Sequence, residues 1–421
     1  MENFLFEKIF IGCIYLIVGI GVSIDLFKTL KEKREDSVLD RIFKFSIGIL
    51  IILLFFTTKY SGKLLDYIIL PLTLYKIYKN KKYNRTGFEW YIAGFLGAIL
   101  LSSIGAFEWK GIRDSFFDTT TVFLLPLYLG QFKFSKEDRR SFLDVGILAF
   151  LGKLSLSFLD RWEYIVGVRW GGKISGTEWP WRYAPILVIG IVVIVSLLIF
   201  RRNKIKEYIT LFLLLIPSTI ALVRTQNRAN WVAILICIIL GAILKLTKKS
   251  IYPILVGVVI LSVLCYKMPE NKYVRKLYSI SNIKTDYSNL GRFELWEQSL
   301  EMFKSSPTNG VGYSEKNFKN SEVPQKYTYI PQIRHGHSHS SFFYILATMG
   351  ILGIISYGIL ILKIIYYSLI NGKKDFYILF LTVISVEVFG IFETPIKYLD
   401  TLGFIYLILG LSVSNLISAK R

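Results

Sequence analysis

All three histidines of the chain lie within eight residues, in the stretch RHGHSHSS at positions 334 to 341, where they are His335, His337 and His339. Imidazole exchanges protons near neutral pH, so the cluster predicts a general base that takes a proton from an attacking hydroxyl. Two alternatives stay open on the residues alone. The spacing also permits a metal site, although no cysteine or carboxylate stands beside it. The third possibility is a solvated loop without a role.

Arginines supply a second kind of chemistry. Arg224 and Arg228 lie in the short stretch VRTQNRANW, and Arg292 lies at the start of a predicted helix. Guanidinium groups stay charged and donate paired hydrogen bonds to phosphate oxygens, so they predict diphosphate binding. An arginine at a membrane boundary can instead extend its charged end into water. Arg169 and Arg182, in the tryptophan-rich stretch GVRWGGKISGTEWPWRYAP, are further candidates for diphosphate or acceptor contacts.

The elements that position these residues are membrane helices. Hydrophobic residues make up 53% of the 421 positions, and apolar runs of about 14 to 20 residues recur between short charged clusters, as is typical of polytopic membrane proteins. The first run, at 9–24, lacks a small-residue cleavage site, so we expect it to remain as a span. The net charge of +21 is dispersed between the apolar runs, which favours positive-inside topology over a nucleic-acid partner.

Basic clusters mark the cytoplasmic ends of the spans. They lie at 28–44, 76–85, 133–140, 201–206, 245–249 and 373–374. The apolar runs between them are 43–58 with 64–78, 88–106 with 116–132, 142–159 with 185–200, 209–223 with 230–244, and 251–266 with 341–370, followed by 376–392 and 401–418. We therefore predict an all-α polytopic integral membrane protein with about 12–13 transmembrane helices in a single membrane domain, 1–421. The run at 64–78 is short and contains Asp66 and Pro71, so a half-span or interfacial piece is the alternative there.

The same alternation puts residues 160–184, 223–229 and 267–340 on the outer side, so the candidate arginines and His339 share one face. The last segment is a large extracytoplasmic loop, in which GRFELWEQSLEMFKSSP predicts an amphipathic helix. Its predicted apolar side contains Phe293, Trp296, Leu300 and Phe303, and its predicted polar side contains Glu294, Glu297, Gln298 and Glu301. Pro307, Gly310 and Gly312 are expected to end the helix.

Several enzyme classes lose their usual sequence support. The chain has no HExxH, no GxSxG, no phosphate-binding GxxxxGK loop and no carboxylate cluster suited to magnesium, so we predict neither a metal nor a cofactor. The three cysteines lie in apolar runs without CxxC spacing, which argues against a disulfide framework. Glu393, at the outer end of a late span, could orient an arginine or a histidine.

Three stretches resemble, in order, patterns of one known family. TQNRANWVAILICIIL is similar to "SRGAW" before an apolar span, GRFELWEQSLEMFKSSPTNGVGY to "GR…W…P…G.G", and HSHSSFFYILATMGILGIISYGIL to "HxHNxxLQxLxxxGxxG". Over residues 220–365 the chain thus resembles the O-antigen ligase and polymerase superfamily of bacterial membrane glycosyltransferases. It departs from the patterns where Asn227 replaces Ser, where Ala229 and Asn230 replace Gly-Ala, and where Ser340 replaces Asn.

The resemblance implies metal-independent, inverting transfer of a glycan from an undecaprenyl diphosphate donor to an acceptor hydroxyl. By position it implies that His339 is the base and that Arg228 and Arg292 bind the diphosphate. We expect Arg224, His337 and Arg169 to add contacts to the diphosphate or the acceptor. The expected function is that of an O-antigen ligase in lipopolysaccharide biosynthesis, with a lipid A-core or other glycan acceptor, in the bacterial inner membrane with its site facing the periplasm. A polymerase of the same superfamily is the nearest alternative, and a polysaccharide transporter or flippase is a more distant one. The single large outer loop favours the ligase.

Overall fold

A computed structural model of the chain describes residues 37–56, 58–158, 180–200, 205–245, 286–321, 336–371 and 374–419, together with 267, 274 and 275. Within these residues the ordered elements are helices, with no strand, which confirms the all-α prediction. The predicted spans at 9–24 and 251–266 lie outside the described residues, as do Arg169 and His335.

The helices of the amino-terminal half are α1 Val38–Phe56, α2 Thr58–Leu64, a π-helical turn Leu65–Ile69, α3 Leu70–Asn80, α4 Glu89–Leu101, α5 Trp109–Phe123, α6 Leu125–Leu129, α7 Lys136–Ser157 and α8 Pro180–Phe200. Those of the carboxyl-terminal half are α9 Ile205–Arg224, α10 Arg228–Lys245, α11 Tyr287–Ser305, α12 Glu315–Asn320, α13 Ser341–Ile370, α14 Lys374–Gly390, a 3-10 turn Pro395–Lys397 and α15 Leu399–Ala419.

Several of these helices are long and apolar enough to cross a membrane: Arg182–Phe200, Glu207–Arg224, Arg228–Lys245, Ser341–Ile370 and Leu399–Ser418. Shorter apolar helices occur at Glu89–Leu101 and Phe376–Gly390. The polytopic character of the chain is therefore confirmed. The total of 12–13 spans stays a prediction, because parts of the chain lie outside the described residues.

The run at 64–78 is helical throughout, since α2, the π-helical turn and α3 follow one another without a break. Pro71 lies at the start of α3, where the missing backbone N–H is tolerated. At about 1.5 Å per residue, the helix from Thr58 to Asn80 is long enough to cross a membrane, but it is not among the helices that are also apolar enough to do so. Whether this run is a full span, a half-span or an interfacial piece therefore stays a prediction.

The helix bundle has two chemically different ends. At one end the basic clusters are held by ion pairs, such as Lys44 with Asp138 (2.9 Å) and Arg140 with Glu207 (3.0 Å). At the other end the loop after α11 packs against the turn after α4, for example through the hydrogen bond from the Tyr313 amide to Ser102 Oγ (3.0 Å). We call this second end, which carries residues 336–340, the histidine end.

Helix α13 is interrupted at Gly350, and the loop at 307–312 fills the interruption. Gly350 has φ 60° and ψ −154°, so the regular helical hydrogen bonds across it are broken. Four hydrogen bonds replace them: Ile351 N to Pro307 O (2.9 Å), Leu352 N to Thr308 O (3.2 Å), Val311 N to Ala347 O (2.9 Å) and Gly312 N to Thr348 O (3.0 Å). Backbone groups at membrane depth must be satisfied within the protein, and the loop satisfies these.

Only glycine fits at the two points of closest approach. A Cβ atom on Gly350 would lie 2.5 Å from the carbonyl carbon of Thr308, and one on Gly310 would lie 2.3 Å from the amide nitrogen of Met349. Both glycines also have positive φ angles. The loop and the interrupted helix are thus one packed unit.

The amphipathic helix predicted in the large loop is α11, but its predicted apolar side is not the face that is buried. The buried residues are Gly291, Leu295, Gln298, Ser299 and Met302. Phe293 and Leu300, on the predicted apolar side, are 41% and 39% exposed. The reason is that α11 packs against α13, where small side chains allow close approach. The aromatic side chains of α11 lie beside this contact, where the Trp296 ring stacks on the Phe343 ring with their centroids 5.0 Å apart.

Candidate functional site

Glu393 joins the two kinds of chemistry that the sequence predicts. It lies in the turn after α14 and is 5% exposed. Its Oε2 is 3.0 Å from His339 Nδ1, and its Oε1 is 3.3 Å from Arg292 Nη2. The carboxylate hypothesised to orient an arginine or the histidine therefore contacts one of each.

These neighbours also set the charge of the carboxylate. Burial alone would raise the pKa of Glu393, but the hydrogen bond and charge of His339 and the charge of Arg292 outweigh it and hold the pKa below its ordinary value. Glu393 is therefore ionised at neutral pH. It accepts hydrogen bonds from the groups on either side.

Arg292 is fixed on more than one side. Its Nε donates to the carbonyl of Phe392 (3.0 Å), and its Nη1 donates to Ser288 Oγ (2.7 Å) one turn earlier in α11. With the contact to Glu393, these bonds hold the guanidinium plane between α11 and the turn after α14. Whether it also binds phosphate stays a prediction.

Arg228 is held in a similar way at the start of α10. Its two Nη atoms donate to the two carboxylate oxygens of Asp286 at 3.0 and 2.9 Å, and Nη2 also lies 3.3 Å from Asn289 Oδ1. Asp286 caps α11, because its side chain also accepts from the Asn289 amide. Arg228 therefore anchors the amino terminus of the helix whose second turn carries Arg292.

The two described histidines form a pair with assignable protons. The backbone amide of His339 donates to His337 Nδ1 (3.3 Å), and the ring centroids are 4.3 Å apart. Because its Nδ1 accepts, a neutral His337 carries its proton on Nε2. His339 faces Glu393 through Nδ1, so its proton lies on Nδ1 and its basic lone pair on Nε2. The rings are thus in opposite tautomers, one suited to donate and the other to act as a base.

The backbone supports this arrangement. His339 has φ +51°, in the left-handed region that histidine tolerates better than most residues. Thr394 Oγ1, next to Glu393, lies 3.4 Å from His337 Nδ1. The turn after α14 therefore contacts both imidazoles.

Residues 209–358 match a family model described as O-antigen ligase. This match supports the resemblance of that segment to the O-antigen ligase and polymerase superfamily. The family consists of membrane glycosyltransferase-like enzymes. No curated protein matches the chain. The O-antigen ligase segment contains both described histidines and Arg224, Arg228 and Arg292, whereas Glu393 lies beyond it.

The structure brings three of the six predicted site residues into one network of contacts. His337, His339 and Arg292 meet through Glu393 and Thr394, and Arg228 reaches the same helix through Asp286. Arg224 ends α9, half-buried, one short turn before Arg228. The roles of all of these residues in binding or catalysis remain predictions.

Sequence reasoning missed Asp286, Asn289 and Thr394. An aspartate before a helical run is a recognised N-cap signal, so Asp286 could have been found. It was not, because the helix was predicted to begin near Gly291, whereas α11 begins at Tyr287. The contact of Thr394 with His337 has no local signal, since it joins segments 57 residues apart.

Proposed function

We propose that the protein is a glycosyltransferase that moves a glycan from undecaprenyl diphosphate to an acceptor hydroxyl, with His339 as general base. The observation that supports this most is the chain of contacts Arg292–Glu393–His339, centred on the buried Glu393, within and beside the O-antigen ligase segment. It couples a histidine that can take a proton to an arginine suited to a phosphate leaving group.

In the proposed reaction the acceptor oxygen attacks the anomeric carbon while His339 Nε2 takes its proton. The bond from the anomeric carbon to the diphosphate oxygen breaks, and the electron pair leaves with the diphosphate. A single displacement of this kind inverts the anomeric centre. The ionised Glu393 stabilises the imidazolium that forms and keeps the ring in the productive tautomer.

The arginines are proposed to bind the donor diphosphate. Arg228 and Arg292 are held by carboxylates in fixed orientations, so little ordering is needed when a phosphate arrives. Arg224 and Arg169 are proposed to add positive charge nearby, and His337 to donate a hydrogen bond through Nε2. We further propose that the histidine end faces the periplasm from the inner membrane.

Within the superfamily we propose a ligase whose acceptor is a hydroxyl of the lipid A core. The large predicted outer segment at 267–340 supports a ligase over a polymerase. Both would use the same donor chemistry, so the acceptor decides between them.

The test is a gel of envelope glycolipids from a deletion strain of the source bacterium, rescued with wild type, His339→Ala or the control His335→Ala. We expect the deletion and His339→Ala strains to lack glycan on the lipid core and to accumulate polymer on its carrier. A core bearing one repeat unit would indicate a polymerase. An unchanged glycolipid ladder in the deletion strain, or full rescue by His339→Ala, would contradict the proposal, provided that blots show equal protein in the membrane.

A further inference from the structure

A polar cavity of about 680 Å³ lies at the histidine end, between the amino-terminal helices and the loop after α11. Asp66, Asp114 and Asp118 line one side of it, on the π-helical turn and on α5, and its other lining residues include Arg182, Tyr344 and Lys397. We propose that this cavity binds the sugar residues of the acceptor and presents their hydroxyl to His339. The proposal rests on the function proposed above.

The cavity adjoins the histidine pair. Lys397, in its lining, is three residues after Thr394, which contacts His337. Glu315, also in the lining, forms an ion pair with Lys397. Its Cβ would lie 3.2 Å from a Cβ placed on Gly336, the residue before His337. The cavity therefore shares a wall with the segments that hold the imidazoles.

Tyr344 is the observation that points to a ligand. It is only 2% exposed and lines the cavity, yet its hydroxyl makes no hydrogen bond to any residue that the structure describes. Its ring is packed against Tyr313 and Phe318, so the hydroxyl cannot readily turn elsewhere. The hydroxyl is not among the polar atoms that are fully buried without a partner, so it opens to the cavity, where a ligand hydroxyl can both donate to it and accept from it.

Arg182 offers a second set of donors. Its guanidinium lies 5.6 Å from the centre of the Tyr398 ring, and within the described part of the chain it has no carboxylate partner. Asp66 is positioned by a hydrogen bond from Thr121 Oγ1 (2.9 Å) and lies on the π-helical turn, a rare element that often marks functional sites. Carboxylate acceptors and guanidinium and hydroxyl donors thus share one cavity.

This mixture fits a sugar better than a diphosphate. A sugar hydroxyl both donates and accepts, so it can bridge the two kinds of group. The lining has four carboxylates beside four cations, so a diphosphate would meet carboxylates of its own sign at an electrostatic cost that a neutral sugar does not have. Arg228 and Arg292, the proposed donor residues, are not part of the cavity lining. The histidine pair would therefore stand between a donor region with arginines and an acceptor region with mixed polarity.

The test uses full-length protein in detergent, with the donor and acceptor lipids that accumulate in the deletion strain, each titrated separately. The variants are Tyr344→Phe and Asp118→Asn. Their matched controls are Tyr366→Phe, at the far end of α13, and Glu301→Gln, on the exposed side of α11. We expect each cavity variant to raise the half-saturating acceptor concentration by about 2- to 10-fold, the effect of one hydrogen bond, with the donor value unchanged.

Two results would overturn the assignment: unchanged acceptor saturation in both cavity variants, or an equal rise for the donor. Binding is measured separately as the rise in unfolding temperature that the acceptor lipid causes in His339→Ala, with and without Tyr344→Phe. If the acceptor lipid stabilises the protein and Tyr344→Phe abolishes this stabilisation, the cavity assignment is supported, even when the wild type transfers no glycan. A wild type that transfers no glycan would refute only the proposed function. Stabilisation that Tyr344→Phe leaves intact would count against the cavity.

Discussion

Glutamine at position 393 would keep the size of the side chain but remove the charge that His339 and Arg292 share. The amide oxygen can accept from only one of these partners, and the amide nitrogen would then face the donor of the other. A charged hydrogen bond contributes about 1.5–3 kcal/mol, and each 1.36 kcal/mol changes a rate tenfold. Glu393→Gln should therefore lower the transfer rate by about 10- to 150-fold. The loss of the base itself is worth about 10²- to 10⁴-fold, a range that overlaps this one only at its lower end.

The assay is the initial rate of glycan transfer in detergent by wild type, Glu393→Gln, His339→Ala and the double variant. If Glu393 acts by orienting His339, it has nothing left to orient once the ring is gone. The double variant should then be no slower than His339→Ala.

Losses that multiply in the double variant would refute this reasoning. They would mean that Glu393 acts independently of the imidazole, for example through Arg292. A Glu393→Gln enzyme with the full wild-type rate would refute it more directly. Unfolding temperatures well above the assay temperature for every variant would show that the comparison concerns catalysis and not folding.

Three further outcomes concern stability and are read from unfolding temperatures in detergent. Gly350→Ala should lower the free energy of unfolding by about 3 kcal/mol or more, because the new Cβ meets the backbone of the inserted loop. Gly358→Ala, with open space around it, should be neutral or slightly stabilising. Equal effects of the two substitutions would contradict the described packing. Asp286→Asn should cost about 1 kcal/mol less than Asp286→Ala, because asparagine also caps helices; the reverse order would contradict the capping role. The pKa of Glu393 is lower in the folded protein, so the folded state binds fewer protons and the stabilisation is fully present above the ordinary value of about 4.5. The gap between wild type and Glu393→Gln should thus be largest near pH 7 and shrink as the pH falls below about 4.5 toward the folded pKa, and a gap independent of pH would contradict the ionised assignment.

The helices were predictable because hydrophobic length and charged boundaries act locally. The apolar runs at 209–223, 230–244 and 401–418 became α9, α10 and α15 with ends shifted by a few residues. The buried face of α11 was not predictable in the same way. The helix contacts a protein surface on one side and leaves aromatic groups partly exposed on another, so hydrophobicity alone marks the wrong side as the core.

The candidate site shows the same division. Residue type and the predicted topology placed His339, Arg228 and Arg292 on one face, since both signals are written along the chain. The ion pair between Arg292 and Glu393 joins segments 101 residues apart. Such a contact depends on how the helices pack, and the sequence around neither residue predicts which residue it will pair with. The tautomers of the histidines depend in turn on that packing.

The loop inserted at Gly350 fixes chain length as well as shape. Four backbone hydrogen bonds hold residues 307–312 against 347–352 in one alignment, so losing or gaining a single residue there would misplace every bond at once. By contrast, nothing in these bonds constrains the distance along the chain from Ser321 to Gly336. We expect natural relatives to differ freely in length in that second stretch and to keep the first at a constant residue count. Among relatives, insertions and deletions should therefore be found between Ser321 and Gly336 and be absent from residues 307–312.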